Sequence, residues 1–299
     1  LLNDLKIIKN LEELKTNIYF TSGSPPVENE NNFGGGIYKL SIDKHNWSIE
    51  KKFSGNVYGL IKVNSNYFAT DNSLGVCEFD KDLIFKKSYP LLKNSRPHGI
   101  SYSSEYNKFF VVCSYRDSVI ILSENFKIED EIKFSFKYDK FQKAFHHAND
   151  CEINGESLYV SMFSETGNWT NDIFDGAIVE YNFINKSKVG APVRNLWMPH
   201  NIKLFNNDFY VLNSLKGELL GNNMGILGKF SAFTRGLDFN NEVFAIGQSR
   251  NRNFSKNLGV SQNNSIDTGI VIFEGQTKTS RFILIRPQDF LKFIQSKFE

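Results

Sequence analysis

Cysteine is scarce in this chain: Cys77, Cys113 and Cys151 are the only three in 299 residues. None belongs to a C-x-x-C pair, so neither a zinc ribbon nor a dithiol redox motif is indicated. An odd count without a framework excludes a disulfide scaffold and points to a reducing, cytoplasmic setting. All three lie in apolar, strand-like runs, where a free thiol behaves as a small hydrophobe. No apolar run approaches the roughly 18 residues that a spanning helix needs, so no membrane partner is expected. No leader peptide is visible, although the chain starts at Leu1 rather than Met, which leaves room for a trimmed N-terminus. One-signed charge is also missing. The 35 basic and 33 acidic residues are mixed along the chain and leave a net charge of +2. Without a basic stripe, nucleic acid is not an expected partner. G-x-S-x-G is absent, and Gly34-Gly35-Gly36 is not followed by Lys-Ser/Thr, which excludes a nucleophile elbow and a phosphate loop.

What is present is β-forming and repetitive. The chain carries 28 Phe, and aromatic residues make up 14% of it. Five lead-in segments recur: Asn56-Val57-Tyr58-Gly59-Leu60, Arg96-Pro97-His98-Gly99-Ile100, His146-His147-Ala148-Asn149-Asp150, Met198-Pro199-His200-Asn201-Ile202 and Phe233-Thr234-Arg235-Gly236-Leu237. Each leads to an aromatic β-run, such as Tyr67-Phe68-Ala69 or Phe209-Tyr210-Val211; a sixth run, Ile18-Tyr19-Phe20, lacks a clear lead-in. Units of about 35–55 residues, rich in β-branched and aromatic side chains and lacking a long 3.6-residue period, predict propeller blades rather than helical repeats. The expected fold is therefore all-β: a six-bladed β-propeller of four-stranded antiparallel blades in one domain. The blades fall at roughly 17–55, 56–95, 96–145, 146–197, 198–232 and 233–286, with a short helix over 287–298. Ring closure is expected to involve both terminal segments. Residues 22–36 read as a polar Gly/Pro-rich loop, and 125–145, 161–176 and 247–268 as long connections of the kind that cover sites.

A propeller brings lead-ins that are far apart in sequence to one end of its central channel. Counting back from each aromatic run gives one equivalent position per blade: Tyr58, His98, Asn149, His200 and Arg235, with His147 two residues before Asn149. Three imidazoles aimed at one axial point are a set that could hold a divalent metal, so His98, His147 and His200 are the expected ligands, for Zn²⁺, Mn²⁺ or Fe²⁺. Any one of them alone is more simply a blade-to-blade hydrogen-bonding group. Arg235 could hold an anionic group, and Tyr58 or Glu218 could act as acid or base. Asn149, Asn201, Asn213, Arg250 and Arg116 complete the expected substrate contacts. Asp71, Glu165 and Gln248 end second strands at the same face.

Two resemblances follow. Met198-Pro199-His200-Asn201, then Tyr210-Val211-Leu212-Asn213-Ser214 with Gly217-Glu218-Leu219, then Phe233-Thr234-Arg235-Gly236-Leu237 and Ile246-Gly247-Gln248-Ser249-Arg250, resemble the uncharacterised bacterial propeller family called domain of unknown function 4915. This likeness spans about 196–252, extends over 96–165 and implies a propeller without an assigned activity. Pro-His-Asn-Ile stands here where that family often has Pro-His-Ser-Pro. The set His98, His147, His200, Arg235 and Tyr58 is also similar in design to the zinc site of six-bladed amidating-lyase propellers. The expected function is a metal-dependent lyase, epimerase or hydrolase acting on a small polar, carbohydrate-derived substrate. The alternative is a non-catalytic module that binds a glycan or protein, with Trp169, Trp47 and Trp197 as stacking surfaces.

Overall fold

A computed structural model describes residues 11–26, 34–171, 173–221, 223–240, 243–249, 265, 267–285 and 296–298. Its strands form six four-stranded antiparallel sheets, the blades of a propeller. Blade 1 contains β1 (Lys15–Pro26), β2 (Gly34–Asp43) and β3 (Asn46–Ser54). Blade 2 contains β4 (Val57–Val63), β5 (Asn66–Asp71), β6 (Gly75–Phe79) and β7 (Phe85–Tyr89). Blade 3 follows with β8 (Pro97–Ser103), β9 (Lys108–Cys113), β10 (Ser118–Ser123) and β11 (Ile128–Lys133). After the short helix α1 (Lys137–Phe141), blade 4 is β12 (Ala148–Asn154), β13 (Ser157–Met162), β14 (Gly176–Asn182) and β15 (Ser187–Leu196). Blade 5 is β16 (His200–Phe205), β17 (Asp208–Asn213), β18 (Glu218–Gly221) and β19 (Gly225–Lys229). Blade 6 is β20 (Phe233–Asn240), β21 (Val243–Ser249), β22 (Gly269–Glu274) and β23 (Ser280–Leu284).

The ring closes through β24 (Ser296–Phe298), which pairs antiparallel with β1 through Ile18↔Phe298, Tyr19↔Lys297 and Phe20↔Ser296. Blade 1 thus takes its innermost strand from the far end of the chain. The helix expected over 287–298 is corrected at 296–298, which are strand; 286–295 lie outside the described residues. The reason is tertiary: the free edge of β1 offers unpaired backbone groups that a following strand satisfies. The loop expected over 22–36 is also shorter, because Ser22–Pro26 continue β1 and Gly34–Gly36 begin β2. Ending the chain before Ser296 should expose that edge and lower the cooperativity of unfolding. A denaturant titration followed by near- and far-UV circular dichroism would report non-coincident transitions.

Alternating side chains let each blade bury both faces. A separate apolar cluster fills each of the six blade interfaces. The closing interface packs Ile18, Phe20 and Leu40 of blade 1 against Ala245, Ile270 and Ile272 of blade 6. Cys77, Cys113 and Cys151 are free thiols buried in three of these interfaces. Burial pushes the thiols of Cys77 and Cys113 up to about 12, which leaves them inert. No helix among the described residues is long and apolar enough to cross a membrane.

The innermost strands share one irregularity. Each of β4, β8, β12, β16 and β20 carries a bulge at its start, at Tyr58-Gly59, His98-Gly99, Asn149, Asn201 and Arg235-Gly236. A bulge bends its strand and re-aims a side chain, so the repeated lead-in motif is the sequence record of this bend. The bulges are stitched across blades. Thr21 Oγ1 donates to the Tyr58 carbonyl (2.5 Å), and Thr70 Oγ1 accepts from Gly59 N (2.7 Å) while donating to the His98 carbonyl. Asn149 Nδ2 donates to Pro199 O (2.7 Å), and Asn201 Nδ2 donates to Asp150 Oδ2 (3.0 Å) while its Oδ1 accepts from Gly236 N (2.6 Å).

Candidate functional site

The five lead-ins place their chemistry at one end of the channel, here called the upper mouth. Three backbone positions just before the bulges are left-handed without being glycine: Arg96 (φ 42°), His147 (φ 48°) and Met198 (φ 51°). Arg96 and His147 are equivalent, each directly before the first paired residue of its inner strand, Pro97 and Ala148; Met198 lies one residue further back, two before His200. A left-handed L-residue is costly and persists where the surroundings fix it. For Arg96 and His147 the residue after the second strand does so: Ser114 N donates to Arg96 O, and Phe163 N to His147 O.

His98 and His200 are buried, and His147 is half-buried. The His98 ring bonds the Asn149 backbone carbonyl and lies 4.6 Å from the Tyr58 ring. His147 sits 4.2 Å from Phe163 and 4.8 Å from Trp169, between centroids. His200 packs edge-on to Phe163 (5.1 Å) and Phe233 (5.3 Å), and its Nδ1 is 3.0 Å from Ser214 Oγ. Arg235 lies with its guanidinium 4.5 Å from the Phe233 ring, and Arg96 4.4 Å from Tyr115.

All three imidazoles are held neutral. Burial is the first cause in each, followed by repulsion from neighbouring positive charge. For His98 the neighbours are His147, Arg96 and Arg235; for His200 they are Arg235, His98 and His147. His147, pressed by burial and then by Arg96 and Arg235, falls to about 3. These groups therefore lie within electrostatic reach of one another, and two guanidinium charges share the space. Buried Asp150 moves the other way, up to about 6.

The sign of the pH dependence follows. A histidine depressed on folding contributes stability that is complete above its unfolded value near 6.5. That contribution is lost as pH falls from there toward the folded value. Asp150, raised on folding, opposes this between about 4 and 6. His147→Gln should flatten the loss of unfolding free energy between pH 6 and 4 by roughly 1 kcal/mol per pH unit, measured by denaturant titration at each pH.

Among the described residues no three His, Cys, Asp or Glu side chains converge as a ligand set. Of the expected metal ligands, His98 bonds a backbone carbonyl, His147 packs against aromatic rings and His200 meets Ser214 through Nδ1. Arg96 and Arg235 make the same space unfavourable for a cation and favourable for an anion.

The other expected site residues separate into two groups. Tyr58 and Arg235 are at the mouth. Asn149 and Asn201 line the channel, but their amides already clamp neighbouring blades. Asn213 accepts from Trp197 N and donates to Glu218 Oε2 (2.8 Å), while Glu218 also faces Lys229 (3.3 Å). Glu218, expected as acid or base, is thus engaged in holding the blade 5 turn. Arg116, expected to bind substrate, forms a two-pronged pair with Glu131 (2.9 and 3.1 Å). Glu165 pairs with Lys188 and Arg194, and Asp71 caps its own turn through Ser73 N and Leu74 N. Arg250 lies outside the described residues. Of the tryptophans, Trp169 reaches the site, Trp197 stacks on Phe174 (4.9 Å), and Trp47 is exposed on outer strand β3.

Sequence reasoning passed over Arg96, Phe163 and Phe233. Arg96 carried a usable signal: it precedes His98 by two residues as His147 precedes Asn149. Phe163 and Phe233 did not, since nothing distinguishes them from the many core phenylalanines.

No family model matches the chain, and no curated protein matches it. Solved structures do. A chain of a nidogen/laminin complex aligns with TM-score 0.64 at 10% identity, covering 95% of this chain and 98% of that one. A putative gluconolactonase gives 0.50 at 11% identity over 78% and 90%, and a putative 6-phosphogluconolactonase from Bacteroides uniformis 0.50 at 10% over 95% and 99%. At these identities the likeness is one of fold.

Proposed function

We propose that the upper mouth binds a small anionic, polyhydroxylated molecule of the sugar-acid type and carries out proton-transfer chemistry on it. The observation that carries this reading is the placement of Arg96 and Arg235 beside three neutral imidazoles, two of them buried. Guanidinium groups match carboxylates in charge and shape. Half-buried Trp169 offers a face for a sugar ring, with buried Tyr58, Phe163 and Phe233 behind it. The two lactonase names among the similar folds belong to the same substrate class, and for this chain they serve as a guide to what to assay.

The charges also suggest how the site works. Empty, burial and then the two guanidiniums suppress the basicity of His147. A bound carboxylate offsets them and raises the imidazole pKa toward the range where it can accept a proton. His147 is then the base, and Arg235 holds the oxygen on which negative charge develops. Glucuronate and galacturonate, together with aldonolactones, form the panel to assay. Binding should take up protons near pH 6, read as calorimetric heats that change with the ionisation enthalpy of the buffer. Heats independent of the buffer, together with no turnover across the panel, would move the reading to a non-catalytic glycan-binding module.

A further inference from the structure

The residue after each of Tyr58, His98, Asn149, His200 and Arg235 occupies the same place beside its bulge. In blades 2, 3 and 6 it is glycine: Gly59, Gly99 and Gly236. In blades 4 and 5 it is Asp150 and Asn201, so these two positions carry side chains that the bend itself does not require. Both side chains are buried, and both reach sideways around the ring. Asp150 Oδ2 accepts from Asn201 Nδ2 (3.0 Å) and Ile202 N (3.3 Å), and Asn201 Oδ1 accepts from Gly236 N (2.6 Å). The last bond fixes the peptide unit that joins Arg235 to Gly236. Together they form a two-link lever that ends on the backbone of Arg235, and a bulge aims the side chain it carries.

The lever begins in the other half of the channel. There the ends of β4, β8, β12 and β16 frame a cavity of about 330 Å³ whose lining includes Asp150, Glu152 and Lys203. Half-buried Lys203 is 4.0 Å from Asp238 Oδ1. Burial works against its charge, but Asp238, Glu152 and Asp150 together hold it above the ordinary lysine range. The groups set against the Asp150 carboxyl are donors or cations: Lys203 and Ile202 N with Asn201 Nδ2 from β16, and Cys151 N from its own strand. From β8 it meets Gly99, which has no side chain. A proton on Asp150 would therefore remove an acceptor from a cluster made of donors.

Resting on the sugar-acid reading of the upper mouth, we propose that Asp150 is a positioning residue for that site. As a carboxylate it holds Asn201, Asn201 holds the Arg235–Gly236 peptide, and Lys203, in the far half of the channel, keeps Asp150 ionised. The affinity of the upper mouth is thereby set from the opposite end.

The test measures galacturonate binding by titration calorimetry at pH 7 and pH 9, with a melting temperature for each protein. The proteins are wild type, Asp150→Asn, Lys203→Met and the double variant. Asp150→Asn, nearly the same shape, should weaken binding about fivefold at both pH values. Burial already raises Asp150 to about 6 with Lys203 beside it, and removing that charge raises it further. Lys203→Met should therefore match Asp150→Asn at pH 7 and return to within about twofold of wild type at pH 9. Beside Asp150→Asn the Lys203→Met effect should vanish. Where Lys203→Met fails to fold, Lys203→Gln takes its place with the same expected outcomes. Wild-type affinity in Asp150→Asn would overturn the lever and leave the central site standing. A Lys203→Met loss that is equal at the two pH values, or that persists beside Asp150→Asn, would overturn control from the far half. Failure of wild type to bind galacturonate at either pH would overturn the lever together with the reading beneath it.

Discussion

Arg235→Gln should weaken the binding of glucuronate or galacturonate about 30-fold or more, whereas Arg116→Gln should change it less than twofold. Arg235 sits at the start of an inner strand and Arg116 follows the end of a second strand, and their partners in space rank them. Arg116 spends its guanidinium on Glu131, with Nε and Nη2 each bonded to a carboxylate oxygen. Arg235 lies against Phe233 and its charge is felt by His98, His147 and His200. A charge-assisted bond in a desolvated site is worth about 1.5–3 kcal/mol, or roughly 10- to 150-fold in affinity. Glutamine keeps the first methylenes and an NH₂ donor but is shorter and loses the charge, so the loss should fall mainly in affinity and not in folding. Calorimetry with the wild-type melting temperature retained would isolate the binding effect. Equal losses in the two variants would mean that the ligand is held elsewhere on the face.

Gly99→Ala should destabilise the fold by about 3 kcal/mol, and Gly190→Ala should stay within about 0.5 kcal/mol of wild type. A Cβ on Gly99 would lie 2.0 Å from Asp150 Oδ1, 2.6 Å from Asp150 Cα and 2.9 Å from Asn149 O. Two of these three atoms are backbone, so no rotamer change relieves the contact. Relief requires moving β8 away from β12. That separation would strain Asp150, which accepts from Asn201 Nδ2 and from Ile202 N (3.3 Å) on the next blade. One methyl group would therefore disturb three blades at the axis, where they converge. Gly190, on outer strand β15, has nothing within 4 Å of its added Cβ. Chemical denaturation of both variants gives the comparison. If the two cost the same, close approach of the inner strands is not what holds the ring.

The fold was legible because its cause is local and repeated. Each blade needs an alternating aromatic run, a polar turn and a lead-in that can bulge, and those requirements recur in the order in which the blades are built. Tyr58, His98, Asn149, His200 and Arg235 could be aligned for this reason, and the structure sets all five at the starts of innermost strands. What surrounds the three histidines is not contained in their spacing: the His98 ring meets a carbonyl, His200 Nδ1 meets a serine and His147 meets aromatic faces, beside two arginines.

By itself, then, the sequence determined the number of blades and which lead-in residues meet at one mouth, because strand periodicity and turn chemistry are properties of neighbours along the chain. Tertiary structure alone decided the rest. It let the chain's last described residues close the first blade, because only the assembled ring presents the open edge of β1. It also gave Arg116, Glu218 and Asn213 partners within their own blades and set Arg96 within electrostatic reach of His98 and His147, because which partner a polar side chain meets is decided in space.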